Sequence, residues 1–317
     1  MSNRSGEVQA EACVALGAAQ RQFEAYPNRE VALGALAVSR ALPIRERRLV
    51  GPWCFLDRFG PLTFTEGKPM DVAPHPHIGL QTVSWLLAGE IVHDDSLGCE
   101  SVLRPGGVNV MTSGSGIAHA EQTPRDNTGR LEGVQLWTAL PDAARHGAAG
   151  FAAAREVPTL DWRSGLIRVF AGTIDEDARA DVPYYSPLVG ADLQIHPGHD
   201  LAMPLDPAFE HAVLVMRGDC SLGGQHLQPQ MLYYLGTTRT EVSLASRTGA
   251  RVLLIGGPPF PETILMWWNF VARTAEEITA ARTDWEAGRR FGEVTAYDGP
   301  RLTAPELTKF ARPNPIS

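Results

Sequence analysis

From Val38 onward the apolar residues come in short runs, with glycine, proline, asparagine or aspartate between them. Thr82–Leu87 stops at Ala88-Gly89, Val108–Met111 follows Gly106-Gly107, and Val134–Trp137 precedes Pro141. Short apolar runs at regular spacing with turn signals between them predict a β-sandwich or barrel. A second series follows: Leu166–Phe170, Ala212–Met216, Met231–Leu235 and Arg251–Ile255. Val83-Ser-Trp-Leu-Leu-Ala-Gly89-Glu90 is echoed by Val213-Leu-Val-Met-Arg-Gly218-Asp219, and such self-similarity predicts a duplicated barrel.

Two stretches break this texture. Residues 1–35 are alanine-rich and read as a partly helical N-terminal extension, and Ala143–Ser164, rich in Ala and Arg, reads as a linker with some helix. The tail changes period. Thr274-Ala-Glu-Glu277 is a capping box, Ile278, Ala281 and Trp285 share one helical face, and Gly288 is a stop. The expected fold is all-β: two tandem antiparallel barrels or sandwiches of the jelly-roll type, with a C-terminal helix. The expected division is an N-terminal extension (1–35), a first barrel (36–145), a linker (146–164), a second barrel (165–257) and a C-terminal segment (258–317) with a helix at about 275–288.

Composition narrows the function classes. The net charge is −8, and the one basic cluster, Arg45-Glu46-Arg47-Arg48, is interrupted and reads as a solvated face or strand edge, so nucleic acid is not an expected partner. The four cysteines (Cys13, Cys54, Cys99, Cys220) are scattered, as expected of free thiols in a reducing cytoplasm. No apolar stretch approaches the roughly 20 residues needed to span a bilayer, and Met1–Ala12 shows no secretory signal pattern. A soluble cytoplasmic protein without membrane contact is expected.

The chemistry lies in two fragments, His75-Pro76-His77 and His119-Ala120-Glu121. Each sets two metal-competent side chains at i and i+2, which share one face of a strand. Two such strands facing each other would present three imidazoles and one carboxylate to a single point. Imidazole with carboxylate suits iron, nickel, copper or zinc. Buried imidazoles without partners are costly, and a metal would satisfy their lone pairs. Pro76 cannot donate to a ladder, so its strand is expected at an edge, a bulge or a barrel mouth.

The order strand, His-x-His, strand, Gly, then Gly-x-x-His resembles the cupin superfamily, and more narrowly the pirins. The matching stretches are Gly51–Pro61, Pro74–Gly89, His93–Ser96, Pro105-Gly106, Val110–Glu121, Gly133–Trp137 through Leu140-Pro141, and the Glu276–Gly288 helix. The resemblance covers roughly residues 38–292. It implies a bicupin with one iron in the N-terminal barrel, its ligands falling on His75, His77, His119 and Glu121. Many cupins place a Glu shortly after the His-x-His; here Gln81 stands there, and the carboxylate comes from Glu121. In the second half, His196, His199, His211 and His226 form no such motif, so that barrel is expected to be structural support or a partner surface.

Three neutral imidazoles and one carboxylate leave a divalent metal with net charge +1, and six-coordination would leave two open positions, as a reactive site requires. Fe(II) is the expected cofactor, with Ni, Cu, Zn or Mn as alternatives. The resemblance implies quercetin 2,3-dioxygenase activity, in which a flavonol is opened by O₂ with release of carbon monoxide. Glu121 is then a ligand that also takes the proton of the flavonol 3-hydroxyl. Trp53, Phe55, Trp85 and Met111 are candidates for lining the pocket or for plain core. His93, with Asp94-Asp95-Ser96, reads as an outer or structural residue rather than a fifth ligand. Two other readings stay open: a non-enzymatic redox-sensitive regulator that binds a protein partner, and a different cupin reaction on the same metal.

Overall fold

The computed structural model describes residues 11–13, 23–33, 36–175 and 178–307. It is an all-β bicupin arranged in four layers. Two seven-stranded antiparallel sheets lie back to back, and a four-stranded sheet closes each on its far side. Each large sheet thus buries both faces. One face looks into its own barrel; the other meets its counterpart across a shared core that includes Trp53, Val83, Trp85, Val134, Phe170, Leu214, Tyr234 and Ile255. This double burial explains why the central strands Leu80–Ala88, Arg130–Ala139, Glu210–Gly218 and Ala250–Gly257 are buried almost without interruption, where a half-solvated strand would alternate.

The barrels are pinned together by buried polar contacts. Trp53 Nε1 donates to the Gly256 carbonyl at 3.0 Å, Trp85 Nε1 to Asp192 at 3.1 Å, and the Gly51 amide to Glu210 at 2.7 Å. Gly51 has φ +53°, and a Cβ there would lie 2.6 Å from the Gly257 Cα, so only glycine allows this approach. The basic cluster is only partly solvated: Arg45 and Glu46 are exposed, but Arg47 is 3 % exposed, its guanidinium 3.5 Å over the Tyr234 ring. Stacking on an aromatic face lets an arginine be buried where a lysine would not.

The two stretches expected to be partly helical are strands instead. In the extension, Glu24–Pro27 pairs with Met231–Gly236 and completes the C-terminal sheet, while Arg29–Leu33 pairs with Leu36–Leu42 in the N-terminal one. In the linker, Gly150–Ala154 pairs with Val108–Thr112, and Thr159–Trp162 with Gly165–Gly172. Each connecting segment therefore adds a strand to both barrels. Pairing with an open sheet edge outweighs the weak helix preference of alanine, and it covers edges that would otherwise invite association. Residues 1–10, 14–22 and 34–35 of the extension lie outside the described set, and Glu11–Cys13 pairs with Ile264–Trp267.

The C-terminal segment returns to the first barrel. Ile264–Trp267 and Phe270–Ala272 form a hairpin, and the helix Ala275–Glu286 follows. The Glu277 amide donates to the Thr274 hydroxyl, and the Glu277 carboxylate accepts from the Arg273 amide at 2.8 Å, one residue before the position a strict capping box uses. Ile278, Ala281 and Trp285 are the buried face as expected, and Gly288, φ +67°, ends the helix.

Candidate metal centre

Strands Asp71–His77 and Ile117–Gln122 pair antiparallel, with His75 opposite His119 and His77 opposite Ile117. The two fragments thus meet as neighbours in one four-stranded sheet rather than across the barrel. Alternation turns His75, His77, His119 and Glu121 to the inner face. Ala118 and Ala120 point outward and are covered by Trp267, Phe270, Ile278 and Trp285. Small residues there let the C-terminal hairpin and helix lie close against the ligand strands. Gly79 serves the same docking: its φ is +68°, and a Cβ would collide with the Val271 carbonyl.

The register slips beyond His119, where two steps on one strand (119 to 121) match three on the other (75 to 72). The surplus residue makes a bulge at Ala73-Pro74, on the edge strand where proline costs no ladder bond. The bulge presents the Ala73 carbonyl to His75 Nδ1 at 2.9 Å. His77 Nδ1 lies 3.0 Å from the Asn269 carbonyl in the C-terminal hairpin, and His119 Nδ1 lies 3.2 Å from His93 Nδ1.

With each Nδ1 occupied, the Nε2 atoms are the free donors. A ligand nitrogen from each of the three imidazoles lies within 4.8 Å of the others, in full burial. His77 Nε2 and His119 Nε2 are 3.0 Å apart, and His75 Nε2 has no partner. If Nδ1–H donates outward, the apposed Nε2 atoms carry lone pairs, and only a cation or a proton between them relieves the repulsion. Protonation is opposed by the site itself. Burial holds His75 down to about 3, and burial with the neighbouring imidazoles holds His77 and His119 well below the usual range. Neutral imidazoles with their far nitrogens fixed are the form a divalent metal takes up. The residues fit one.

Glu121 faces the same interior but stands outside that three-imidazole cluster. Its Oε1 is 3.4 Å from Ser84 Oγ, its Oε2 has no partner, and burial raises its carboxyl above the usual range. A buried polar atom left unpaired costs about 1–3 kcal/mol, so the open valences of His75 and Glu121 together mark a place for a ligand. Gln81, at the position where many cupins carry their carboxylate, is turned away: its amide donates to Thr112 Oγ1 and the Pro183 carbonyl.

His93 and Asp95 form a third i/i+2 pair on the adjoining strand Ile91–Asp95, opposite Glu121 and His119. His93 is buried, contacts His119 through Nδ1 and Asp95 Oδ2 through Nε2 at 3.2 Å, and stacks on Phe151 with ring centroids 4.5 Å apart. The chain Asp95–His93–His119 fixes the His119 ring from behind, which is the outer role expected of His93. Asp95 also accepts the Leu97 and Cys99 amides; against the opposing effect of burial, these bonds and His93 hold its carboxyl low. Phe151 comes from the linker strand, so sequence position gave no hint of it.

Of the four pocket-lining candidates, two face the site. Phe55 stacks on Trp137 with centroids 4.0 Å apart, Trp137 packs against His77, and Met111 lies opposite Phe151. Trp53 and Trp85 are core between the barrels. In the second half, His196 and His199 are 6.3 Å apart by ring centroid at the surface, and the described residues hold no metal-competent cluster there.

Comparison with known proteins agrees with this architecture. Residues 35–138 match the family model described as Pirin, and residues 190–292 match that of the Pirin C-terminal cupin domain. A Pseudomonas aeruginosa protein named "Putative quercetin 2,3-dioxygenase" is 45 % identical over 275 residues, covering 86 % of this chain and 87 % of its own. A Caulobacter vibrioides pirin-like protein is 37 % identical, covering 83 % and 93 %. A crystal structure of quercetin 2,3-dioxygenase from Acinetobacter baumannii superposes with a TM-score of 0.87 at 39 % identity, covering 92 % of this chain and 97 % of that one.

Proposed function

The chain belongs to the pirin family, and from that premise we propose that it is a metal-dependent dioxygenase of the quercetin 2,3-dioxygenase type. The observation that carries this reading is the buried convergence of three neutral imidazoles beside a carboxylate with an unpaired oxygen. We assign His75, His77, His119 and Glu121 as the metal ligands and Fe(II) as the metal. The names of the Pseudomonas and Acinetobacter relatives support the flavonol as substrate. We place the site in the cytoplasm, a reducing compartment that suits buried cysteines outside disulfides: Cys54 lies against the Trp137 carbonyl and Cys220 is buried in the second barrel.

A bound redox metal would supply Lewis acidity toward a chelating oxyanion and a partner for O₂. The protein does the rest. His75, His77 and His119 would hold the metal, their rings locked by the Ala73 carbonyl, the Asn269 carbonyl and His93. Glu121, beside the imidazoles and with one carboxylate oxygen unpaired, would take the proton of the flavonol 3-hydroxyl, which must lie within hydrogen-bond reach. Phe55 stacked on Trp137, and Met111 opposite Phe151, would line the site with an apolar wall suited to a planar ring.

The test is anaerobic loading with Fe(II) followed by quercetin and air. Loss of the flavonol absorbance band with release of carbon monoxide is expected; full metal occupancy without turnover overturns the activity. Glu121→Gln should lower turnover by roughly 10²–10⁴-fold, the usual worth of a general base. A Gln variant that keeps its iron and turns over at the wild-type rate removes the base role.

A further inference from the structure

Behind the histidines, the interior of the N-terminal barrel holds another buried polar group with an open valence. Gln135 is 2 % exposed, on the large sheet that faces the ligand strands. Its cross-strand neighbours are Ser84 and Asp57. Ser84 Oγ donates to Gln135 Oε1 at 2.7 Å, which fixes the amide, and Gln135 Nε2 has no partner. Asp57, on the other side, is held through both oxygens by Arg40 at 2.7 Å. The same serine hydroxyl is 3.4 Å from Glu121 Oε1, so the amide is one side chain away from the carboxylate. Trp137, the next residue on that face, also has a buried Nε1 without a partner.

Packing does not demand this polarity. Across the sheet the row reads Asn109, Ser84, Gln135, Asp57, Arg40; the matching row of the other barrel reads Tyr233, Val213, Leu254, Ala191, Val169. The same frame closes with leucine where Gln135 stands. We infer that Gln135 is a substrate-binding residue, whose Nε2 donates to an oxygen of a planar oxyaromatic ligand lying between the histidines and the aromatic wall. This rests on the proposed function for the ligand class, and adds to it a recognition point that is not a metal bond.

The test is anaerobic titration of the full-length, metal-loaded protein with quercetin and, separately, with catechol, followed by ligand absorbance. In Gln135→Met, which keeps the length but not the donor, metal content stays as in wild type and both dissociation constants rise about tenfold, as for loss of one hydrogen bond to a buried partner. Wild-type affinity for both ligands in that variant overturns the assignment. If Gln135→Met does not fold, Gln135→Glu keeps the bond from Ser84 and removes the N–H donors, and the same rise is expected. Wild-type protein that binds catechol but not quercetin removes the flavonol reading and leaves Gln135 tested through catechol. Wild-type protein that binds neither overturns both.

Discussion

In the N-terminal barrel His75 stands opposite His119; in the C-terminal barrel the same strand pair sets Leu201 opposite Leu244, with Met203 opposite Val242 where His77 meets Ile117. Leu201, Met203 and Leu244 are each 1 % exposed or less and belong to a continuous apolar core. One topology therefore closes in two ways. Three apolar side chains fill the second barrel without help, whereas three imidazoles in the first leave lone pairs that the protein alone does not satisfy. Only a barrel that is underpaired at its centre has something to offer a ligand.

The outer faces differ as well. In the C-terminal barrel the small-sheet strands His199–Pro204 and Glu241–Ser246 alternate between buried and exposed, as expected with water on one side. In the N-terminal barrel, Asp71–His77 and Ile117–Gln122 are buried on both faces, because the C-terminal hairpin and helix cover them. That cover also supplies the Asn269 carbonyl that holds His77. Ligand geometry is rigid where the sheet is sandwiched, and the barrel without a site needs no such backing.

The contrast can be broken by exchanging what each barrel depends on. Met203→Ala should cost about 2–5 kcal/mol of stability in chemical denaturation while metal content stays unchanged. At the matching place, His77→Ala should lower metal affinity at least tenfold to a hundredfold. Metal loss from Met203→Ala would show that the barrels are not functionally separate.

A pH experiment sharpens the same point away from the ligands. His211 occupies in the second barrel the position that Thr82 holds in the first, and burial lowers its imidazole to about 4. The unfolded chain binds this proton at about 6.5, so folded-state stability is complete above 6.5 and falls as pH drops toward 4. Over that window the loss is about 3 kcal/mol. Comparing metal-free wild type with metal-free His211→Thr cancels the contribution of the first barrel, and the stability difference between them should shift by this amount. Parallel pH curves would contradict it. The smallest effect is expected at the backing helix: Thr274→Ala removes the cap on the Glu277 amide and should cost about 1 kcal/mol, with faster amide exchange in Ala275–Glu286 and none in the C-terminal barrel.

Much of this was legible in the chain. The seven apolar runs between turn residues all became strands, from Leu80–Ala88 to Ala250–Gly257, and the echo around Gly89 and Gly218 marked matching hairpins, both with glycine at positive φ. The i/i+2 rule brought out His75, His77, His119 and Glu121 as two pairs that each share a strand face, but it set the two strands facing each other where the structure sets them side by side in one sheet. The same rule applied to His93 and Asp95 would have placed them beside the ligands. What stayed hidden depends on contacts between distant segments. Alanine-rich stretches became strands because sheet edges were waiting for them, Phe151 reached His93 from the linker, and Asn269 reached His77 from 192 residues away. Gln135 looked like any polar residue in an apolar run until its neighbours across the sheet were known.

The most direct test is metal stoichiometry of the purified chain and of His75→Ala and His119→Ala, measured by elemental analysis together with the identity of the metal. The account predicts one divalent metal per wild-type chain, iron when loaded anaerobically, and none held stoichiometrically by either variant. A full equivalent retained after loss of His75 or His119, or a wild-type chain that takes up no metal, would contradict it.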